Sequence, residues 1–361
     1  MLNRNKLFLS FLRIGLTGDR TYLSQLTLPI PWEEIYKQAQ RQTVLGLVFD
    51  GIQLLPKDKQ PPRVLMLKWF GVVMQIEKQN KRLNKGLIEI VSAYRAHAIE
   101  PILLKGQGVA QYYHNPLHRQ GGDIDLLLGK QYDEANKLVS SWGVTLHPET
   151  SYHLAFSWKN VEIENHRIFV NFYHPRNKKK LKKWLCRHQT DRPSALSFGE
   201  FSVKTPSAQT NAVYLLLHLL HHSLQVGIGL RQVCDWTRLM IENQDKIDTL
   251  IFRDDLELLP IKRFACALAS LSVRYLGMPS DVFPYDLSSK TIQEDGEFLL
   301  KDMLAVGNFG KDTRTWYQFS LGTFKGKIYA YLLAFQRQIR IARFCPSEVM
   351  AYPFQWFLSK I

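Results

Sequence analysis

Apolar residues are spaced in two ways along this chain, and the change of spacing divides it into three regions. Before residue 99 and after residue 200 they recur three or four positions apart, as on one face of an α-helix. Between these limits the apolar runs are short and bounded by Gly, Asn and Pro, which is typical of strands and turns. We therefore expect an α+β protein with an N-terminal helical region (1–98), a core containing a small mixed sheet (99–200) and a C-terminal helical domain (201–361).

The longest helical pattern lies between Arg63 and Ala98, where no proline interrupts it. Its methionine and aromatic residues fall at helical spacing, so we interpret them as core-filling side chains rather than as ligands. Two strand-like runs, His153–Trp158 and Val161–Glu164, are joined by Lys159-Asn160 and predict a hairpin. Further helices are predicted over residues 8–16, from Trp32, over 131–142, over 176–188 and from Ser207.

The segment from Pro101 to Lys130 contains the residues with the clearest chemical potential. It reads as strand, glycine turn, short helix, loop and strand. The short helix must end at Asn115, because a residue that precedes proline is driven out of the helical region. The pieces are, in order, Ile102–Leu104, Lys105-Gly106-Gln107-Gly108, Val109–Tyr113, a loop up to Gly122, and Asp123–Leu128.

Two aspartates, Asp123 and Asp125, stand inside the second apolar run, although Asp is disfavoured in strands. Residues two apart on a strand share a face, so the two carboxylates project together. Adjacent carboxylates repel, and one takes up a proton unless a cation lies between them. Ligands that offer only oxygen favour a hard ion, so the pair predicts a Mg²⁺ or Mn²⁺ site.

The glycine turn before these aspartates offers a complementary group. Gly106 and Gly108 permit close backbone approach, and the helix that follows directs free N–H groups at an anion. Phosphate on one side and metal-binding carboxylates on the other is the arrangement required for phosphoryl or nucleotidyl transfer.

Together these residues resemble the nucleotidyltransferases of the DNA polymerase beta-type superfamily, and more narrowly the bacterial uncharacterised nucleotidyltransferase family. The resemblance rests on Leu104-Lys105-Gly106, Arg119 and Gly122-Asp123-Ile124-Asp125-Leu126-Leu127. It implies a polymerase beta-type core, an Asp-x-Asp pair, a glycine turn that holds a triphosphate, and a third carboxylate on a neighbouring strand. It also implies a histidine two residues after the third carboxylate, a pattern that Ile163-Glu164-Asn165-His166 matches.

The resemblance also implies roles for individual residues. The catalytic and metal-binding set is Asp123, Asp125 and Glu164, with Mg²⁺ or Mn²⁺ as the cofactor. The implied nucleotide-binding residues are Lys105, Gly106, Gln107, Gly108 and Arg119. Many superfamily members carry Gly-Ser or Gly-Gly in the turn, so the roles of the Lys105 and Gln107 side chains here stay open. Arg119 has a second interpretation, as a structural partner of Asp123 or of a loop carbonyl.

The sequence alone leaves the third acid open. Glu162 and Glu164 share one face of the predicted hairpin, and that face is an exposed polar surface unless its strand lies beside the Asp-x-Asp strand. Asn171 competes for the position but carries no charge and is therefore a poorer metal ligand.

Charge extends the set of expected partners. The formal net charge is +15, which favours anionic partners such as a nucleotide or a nucleic acid. The densest positive run, residues 176–188, predicts a helix whose lysines face solvent. An alternative is a cradle for nucleic-acid phosphates, with Trp184 available for stacking; we favour an inward Trp184.

Other features argue against several classes of protein. Four cysteines without C-x-x-C spacing fit neither a zinc site nor a disulfide framework. His218, His221 and His222 share a predicted helix that carries no acid, so we interpret them as hydrogen-bonded histidines rather than zinc ligands. The chain has no secretory signal pattern and no apolar run of the ~20 residues that span a bilayer. We expect a cytoplasmic protein.

These observations favour a nucleotidyltransferase that transfers NMP from an NTP, such as ATP, to an acceptor that could be RNA, a protein, a sugar or a small molecule. One alternative is an inactive protein of the same fold that binds nucleic acid through its basic surface. Another is an assembly partner that uses that surface and the aromatic segment Tyr352–Leu358 on membranes or proteins.

Overall fold

The computed structural model describes residues 2–21, 30–147, 153–308 and 324–358. The described helices are α1 (Leu2–Thr17), α2 (Trp32–Arg41), α3 (Leu45–Gln53), α4 (Arg63–Arg95), α5 (Gly106–Ala110), α6 (Tyr132–Ser141), α7 (Pro175–Arg187), α8 (Ala208–Gln225), α9 (Leu230–Glu242), α10 (Thr249–Leu258), α11 (Lys262–Leu271), α12 (Lys290–Val306), α13 (Phe324–Ile341) and α14 (Pro346–Leu358). The described strands are β1 (Ile102–Leu104), β2 (Asp123–Leu127), β3 (His153–Trp158), β4 (Val161–His166), β5 (Ser194–Phe198) and β6 (Phe201–Thr205).

The six described strands form one mixed sheet in the order β3-β4-β2-β1-β6-β5. β2 runs parallel to β4 and β1 runs parallel to β6, while the remaining neighbours are antiparallel. Helices precede and follow this sheet along the chain, which confirms the α+β prediction. The sheet ends at Thr205, five residues beyond the boundary drawn at residue 200, and the division into three domains stays a prediction.

The hairpin formed by β5 and β6 was not predicted from the sequence. Gly199 and Glu200 make its two-residue turn, and Gly199 has a φ of 63°, a conformation that glycine adopts without steric cost. Leu196 and Val203 are buried between exposed neighbours, which are Ala195, Ser197, Ser202 and Lys204, so a period-two signal was present in the sequence, although weak.

The two faces of the sheet are chemically different. One face packs on α4 and α6 through a separate apolar cluster that includes Leu103, Ile124, Leu126 and Ile163. Because side chains alternate along a strand, the residues between these apolar ones point to the opposite face. The Asp-x-Asp pair therefore projects away from α4 and α6.

The long predicted helix is confirmed as α4, and the predicted helix over 176–188 is confirmed as α7. Leu181 and Trp184 of α7 are buried, whereas its five lysines are exposed. The inward orientation favoured for Trp184 is correct.

The short helix after β1 begins earlier than predicted. We expected it over Val109–Tyr113, and it spans Gly106–Ala110. Lys105 is the residue that precedes this helix, and its φ of 46° and ψ of −142° mark a sharp turn directly after β1. Gly108 then packs closely on β1, where a Cβ would lie 3.6 Å from the side chain of Leu103. The glycine turn is therefore itself the helix.

The aromatic end of the described chain belongs to α14. Side chains from residue 354 onward lie outside the described set. Glu348 accepts hydrogen bonds from the backbone N–H groups of Tyr173 and His174, at 2.6 and 3.0 Å, and Tyr352 contacts the Tyr173 ring. The start of α14 is thus held against the segment that precedes α7, and the role expected for the aromatic residues Tyr352–Leu358 stays a prediction. Among the described helices, none is both long and apolar enough to cross a membrane.

Candidate active site

The strands β2 and β4 bring the predicted acids together. They are parallel neighbours in which Asp125 is the register partner of Glu164, and Asp123 is the partner of Glu162. The adjacency that the sequence could not establish is therefore present. Because residues in register project to the same side, Asp125 and Glu164 point into the same space.

Three potential ligand atoms converge at this position. Nε2 of His166 lies 2.8 Å from Oδ1 of Asp125 and 3.3 Å from Oε2 of Glu164. All three side chains offer ligand atoms within 4.8 Å of one another, the one such group of three or more found among the described residues. A site with this donor set can hold a divalent cation.

Lys105 supplies a positive charge to the same cluster. Its Nζ atom lies 2.8 Å from Oδ1 of Asp125, whose side chain is only 2% exposed. Burial opposes both charges, but the mutual attraction prevails: the pKa of Lys105 is raised and that of Asp125 is lowered, the latter also by His166. The positive φ of Lys105 is a strained conformation for a residue with a side chain, and such strain is concentrated at functional sites.

In the described part of the chain, Asp123 has no ion pair like the one that Asp125 forms with Lys105. Burial raises its pKa, and the nearby Asp125 carboxylate raises it further. Burial and the neighbouring carboxylates both disfavour the ionised form of Asp123, and a cation bound beside these acids would offset both effects. The carboxylate donors fit a hard divalent cation.

A cavity of about 130 Å³ opens beside these groups. Residues of α8 and α9 line it opposite the sheet, so the two helices following the sheet form the second wall. The lining residues are Lys105, Gly106, Arg119, Asp123, Asp125, Glu164, Leu215, His218, Leu219, His222, Arg231, Gln232 and Asp235.

A family relationship covers the part of the chain that builds this site. The family described as "uncharacterised nucleotidyltransferase" matches residues 29–277, more than half of the chain. The chain belongs to this family. Searches of curated proteins and of solved structures returned no match. The matched region includes the whole sheet and both helices that line the cavity, so the site described here lies in the part that defines the nucleotidyltransferase family.

In this member of the family Arg119 is held by an acid that the sequence did not reveal as its partner. Its Nε and Nη2 atoms donate to the two oxygens of Asp235, at 2.9 and 2.8 Å, and the Tyr113 hydroxyl donates to the same carboxylate at 2.6 Å. Arg119 is buried but lines the cavity. The structural interpretation named Asp123 or a loop carbonyl as the partner: the acid is Asp235 instead, and the Nη1 of Arg119 also donates to the loop carbonyl of Gln120 at 3.4 Å. Its role in phosphate binding stays a prediction.

Arg231 adds a second guanidinium to the cavity wall. It lies four residues before Asp235 on α9, and its Nη1 donates to the carbonyl of Gln120 at 2.6 Å. Burial lowers its pKa, and the neighbouring charge of Arg119 lowers it further. A buried guanidinium, Arg119, beside a half-buried one, Arg231, forms a site that favours an anion.

Of the four residues in the glycine turn, Lys105 to Gly108, only the first two line the cavity. Lys105 and Gly106 line the cavity, whereas the side chain of Gln107 points to α4 and donates to Oδ1 of Asn84 at 2.5 Å. Gly108 packs against Leu103. The nucleotide-binding roles of Gln107 and Gly108 stay predictions, and any such role must come from their backbone groups.

The two alternatives for the third acid do not line the cavity. Glu162 pairs with Asp123 in register, but its half-exposed side chain accepts a hydrogen bond from Ser157 of β3 and lies 3.1 Å from Nε2 of His147. Asn171 lines a different small cavity, which Glu348 also lines. Glu164 is thus the alternative that the fold brings to Asp125.

His218 and His222 of α8 form part of the cavity wall, with ring centroids 4.3 Å apart. Burial lowers the pKa of His218 well below its usual range, and it lowers the pKa of His221 to about 4. His218 and His221 are therefore neutral at physiological pH. Among the described residues the histidines of α8 belong to no converging group of metal ligands, and their interpretation as hydrogen-bonded residues stays a prediction.

Proposed function

We propose that this protein transfers a nucleoside monophosphate from an NTP to an acceptor and releases pyrophosphate. The register pairing of Asp125 with Glu164, beside Asp123 and Lys105, carries this proposal. It places two acids from neighbouring strands next to buried positive charges, within a family of nucleotidyltransferases.

The carboxylates of Asp123, Asp125 and Glu164 would hold Mg²⁺ or Mn²⁺. When bound, two such ions stabilise the charge on the attacking and leaving oxygens of an in-line displacement. Among the three residues whose ligand atoms converge, Asp125, Glu164 and His166, Glu164 is the most exposed, with 30% of its side chain accessible. It is therefore the acid best placed to orient an acceptor hydroxyl and accept its proton.

Positive side chains in the cavity would bind the triphosphate. Lys105, Arg119 and Arg231 line it together, and Gly106 leaves room for close approach to the backbone. Without a bound ion these three cations face four acids, Asp123, Asp125, Glu164 and Asp235. An NTP that arrives with divalent ions brings both signs of charge, so the cavity stays close to neutral when loaded.

The acceptor would approach along a positive surface. The five lysines of α7 are exposed, and none of them forms an ion pair with a residue in the described ranges. Such a surface suits a phosphate-rich acceptor such as RNA. Protein, sugar and small-molecule acceptors remain part of the proposal, as does action in the cytoplasm.

Labelling with isotopic NTPs tests the proposal. The purified protein is incubated with each α-³²P-labelled NTP, with Mg²⁺ or Mn²⁺ and a cell extract. We expect one class of labelled acceptor, with pyrophosphate released in equal amount, and no acceptor label from γ-³²P-NTP. Label from the γ position alone would show phosphoryl transfer instead, and unchanged labelling by Asp125→Asn would overturn the site assignment.

A second function is favoured by the glycine turn, which lacks a serine, and by the exposed lysines of α7. In this alternative the protein retains the fold but binds nucleic acid without catalysis. RNA binding that disappears when the α7 lysines are replaced by glutamine, in the absence of any transfer from labelled NTPs, would support it.

A further inference from the structure

His166 lies at the centre of the acidic cluster, and the proposed transfer reaction gives it no role. We propose that its imidazole is a direct ligand of the ion held by Asp125 and Glu164, and that this ligand makes the site select Mn²⁺ over Mg²⁺. The inference rests on the metal site of the proposed function but not on its transfer activity.

The position of His166 on β4 places its ring beside both acids. It stands two residues after Glu164, so the two side chains share one face of the strand. Its Nε2 atom is 2.8 Å from Asp125 and 3.3 Å from Glu164, and the residue is 9% exposed. The imidazole nitrogen thus belongs, with one oxygen from each acid, to the group of three atoms that could bind an ion together.

The backbone keeps this ring in place. The His166 carbonyl accepts a hydrogen bond from Leu128 N–H at 2.9 Å, just beyond the end of β2. On the other side, β3 pairs His153 with His166 in register, and the two ring centroids are 5.7 Å apart. A ring confined between two strands loses little further freedom when it binds an ion.

Donor chemistry gives the metal preference. Mg²⁺ takes oxygen ligands and keeps several waters. Carboxylate oxygens suit Mg²⁺ and Mn²⁺ alike, whereas imidazole suits transition metals, and of these two ions only Mn²⁺ is a transition metal. One nitrogen beside the two oxygens at Asp125, Glu164 and His166 therefore raises the affinity for Mn²⁺ relative to that for Mg²⁺.

Pulsed EPR of bound Mn²⁺ tests the ligand directly, because a coordinated imidazole nitrogen modulates the spin echo. The wild-type protein with one equivalent of Mn²⁺ should show ¹⁴N modulation, and His166→Gln should lose it. Titration should show Mn²⁺ bound more tightly than Mg²⁺, with about 10- to 100-fold weaker Mn²⁺ binding in His166→Gln. The Mg²⁺ affinity should change by a smaller factor, since Mg²⁺ makes less use of nitrogen.

His97→Gln is the control, because it removes an exposed histidine that does not belong to the group of converging ligands. Its ¹⁴N signal and Mn²⁺ affinity should match the wild type. Bound Mn²⁺ without ¹⁴N modulation, or modulation that survives in His166→Gln, would overturn the inference. So would equal affinity for Mg²⁺ and Mn²⁺. None of these readouts requires turnover, so a protein inactive in every labelling assay can still show the nitrogen ligand.

Discussion

The ammonium of Lys105 and the carboxylate of Asp125 form an ion pair 2.8 Å long at the inner wall of the cavity. Lys105 reaches this position from a residue with φ of 46°, immediately after β1. The chain thus accepts a strained backbone in order to place a cation next to the central acid. This ion pair keeps Asp125 ionised, which is the state that an incoming metal ion requires.

Replacing Lys105 by methionine should destabilise the protein. The change leaves Asp125 buried without its cation, which costs about 3–5 kcal/mol when one member of a buried pair is removed. The free energy of unfolding, measured by urea titration in the presence of EDTA, should fall by that order.

Adding Asp125→Asn to Lys105→Met is the control, because it removes the unpaired charge. The double variant should regain much of the lost stability, so the double-mutant cycle should show a coupling of more than about 1 kcal/mol. Additive losses from the two single variants would show that the ion pair does not stabilise the fold.

Glu164→Gln should abolish most of the transfer activity. Removal of a group that merely supports a metal ligand lowers metal affinity about 10- to 100-fold, and loss of a ligand should cost at least as much. Glu162→Gln makes the same type of substitution two residues earlier, at a side chain that does not line the cavity, and this variant should retain activity. Single-turnover labelling of both variants gives the comparison; equal rates would remove Glu164 from the mechanism.

His188 predicts a pH-dependent contribution to stability. Its Nδ1 lies 2.8 Å from Asp191 and its Nε2 lies 2.7 Å from the buried carboxylate of Asp255. Burial opposes the imidazolium, but hydrogen bonds to Asp255 and Asp191 raise the pKa of His188 overall. Since the folded pKa exceeds the unfolded value of about 6.5, the stabilisation is complete below that pH and is lost as pH rises through the folded pKa.

His188→Gln should therefore cost most at acidic pH, about 3 kcal/mol at pH 6, and progressively less as the pH rises. Urea unfolding of both proteins between pH 6 and 9 measures this difference. His97→Gln changes an exposed histidine and serves as the control, with a curve parallel to the wild type. A constant gap between His188→Gln and the wild type would contradict the imidazolium assignment.

Two glycines in helices predict effects of opposite sign. A Cβ at Gly51 would lie 2.2 Å from the carbonyl oxygen of Phe11, where α3 packs against α1, whereas at Gly71 on α4 nothing lies within 4 Å. Gly51→Ala should destabilise the protein by about 1–3 kcal/mol through overpacking. Gly71→Ala should stabilise it by about 0.5–1 kcal/mol, because alanine favours an exposed helix. Denaturation midpoints of both variants check the signs.

Local sequence patterns predicted the secondary structure best where a periodic pattern was long or where turn residues marked its end. The helix α4 and the β3–β4 hairpin follow from periodicity and a turn, and the Asp-x-Asp pair follows from two acids in an apolar strand. The β5–β6 hairpin was missed because its strands are short and partly polar, although Gly199 marks the turn. The start of α5 was misplaced because glycines were interpreted as a turn rather than as a helix packed on β1.

The choice between Glu162 and Glu164 could not be made from the sequence. Both are glutamates on one face of the same predicted strand, and only the parallel pairing of β4 with β2 sets Glu164 opposite Asp125. The pairing of Arg119 with Asp235 joins residues 116 positions apart, which no local pattern reports.

By itself the sequence determined the helices and strands with strong periodicity, the acidic strand and the family resemblance, because these depend on residues close together along the chain. Tertiary structure decided which acid joins Asp125, which cation neutralises it, and which helices cover the cavity. These depend on strand register and on packing between distant segments, where burial makes charges interact strongly and a shift of one residue would turn each side chain to the other face.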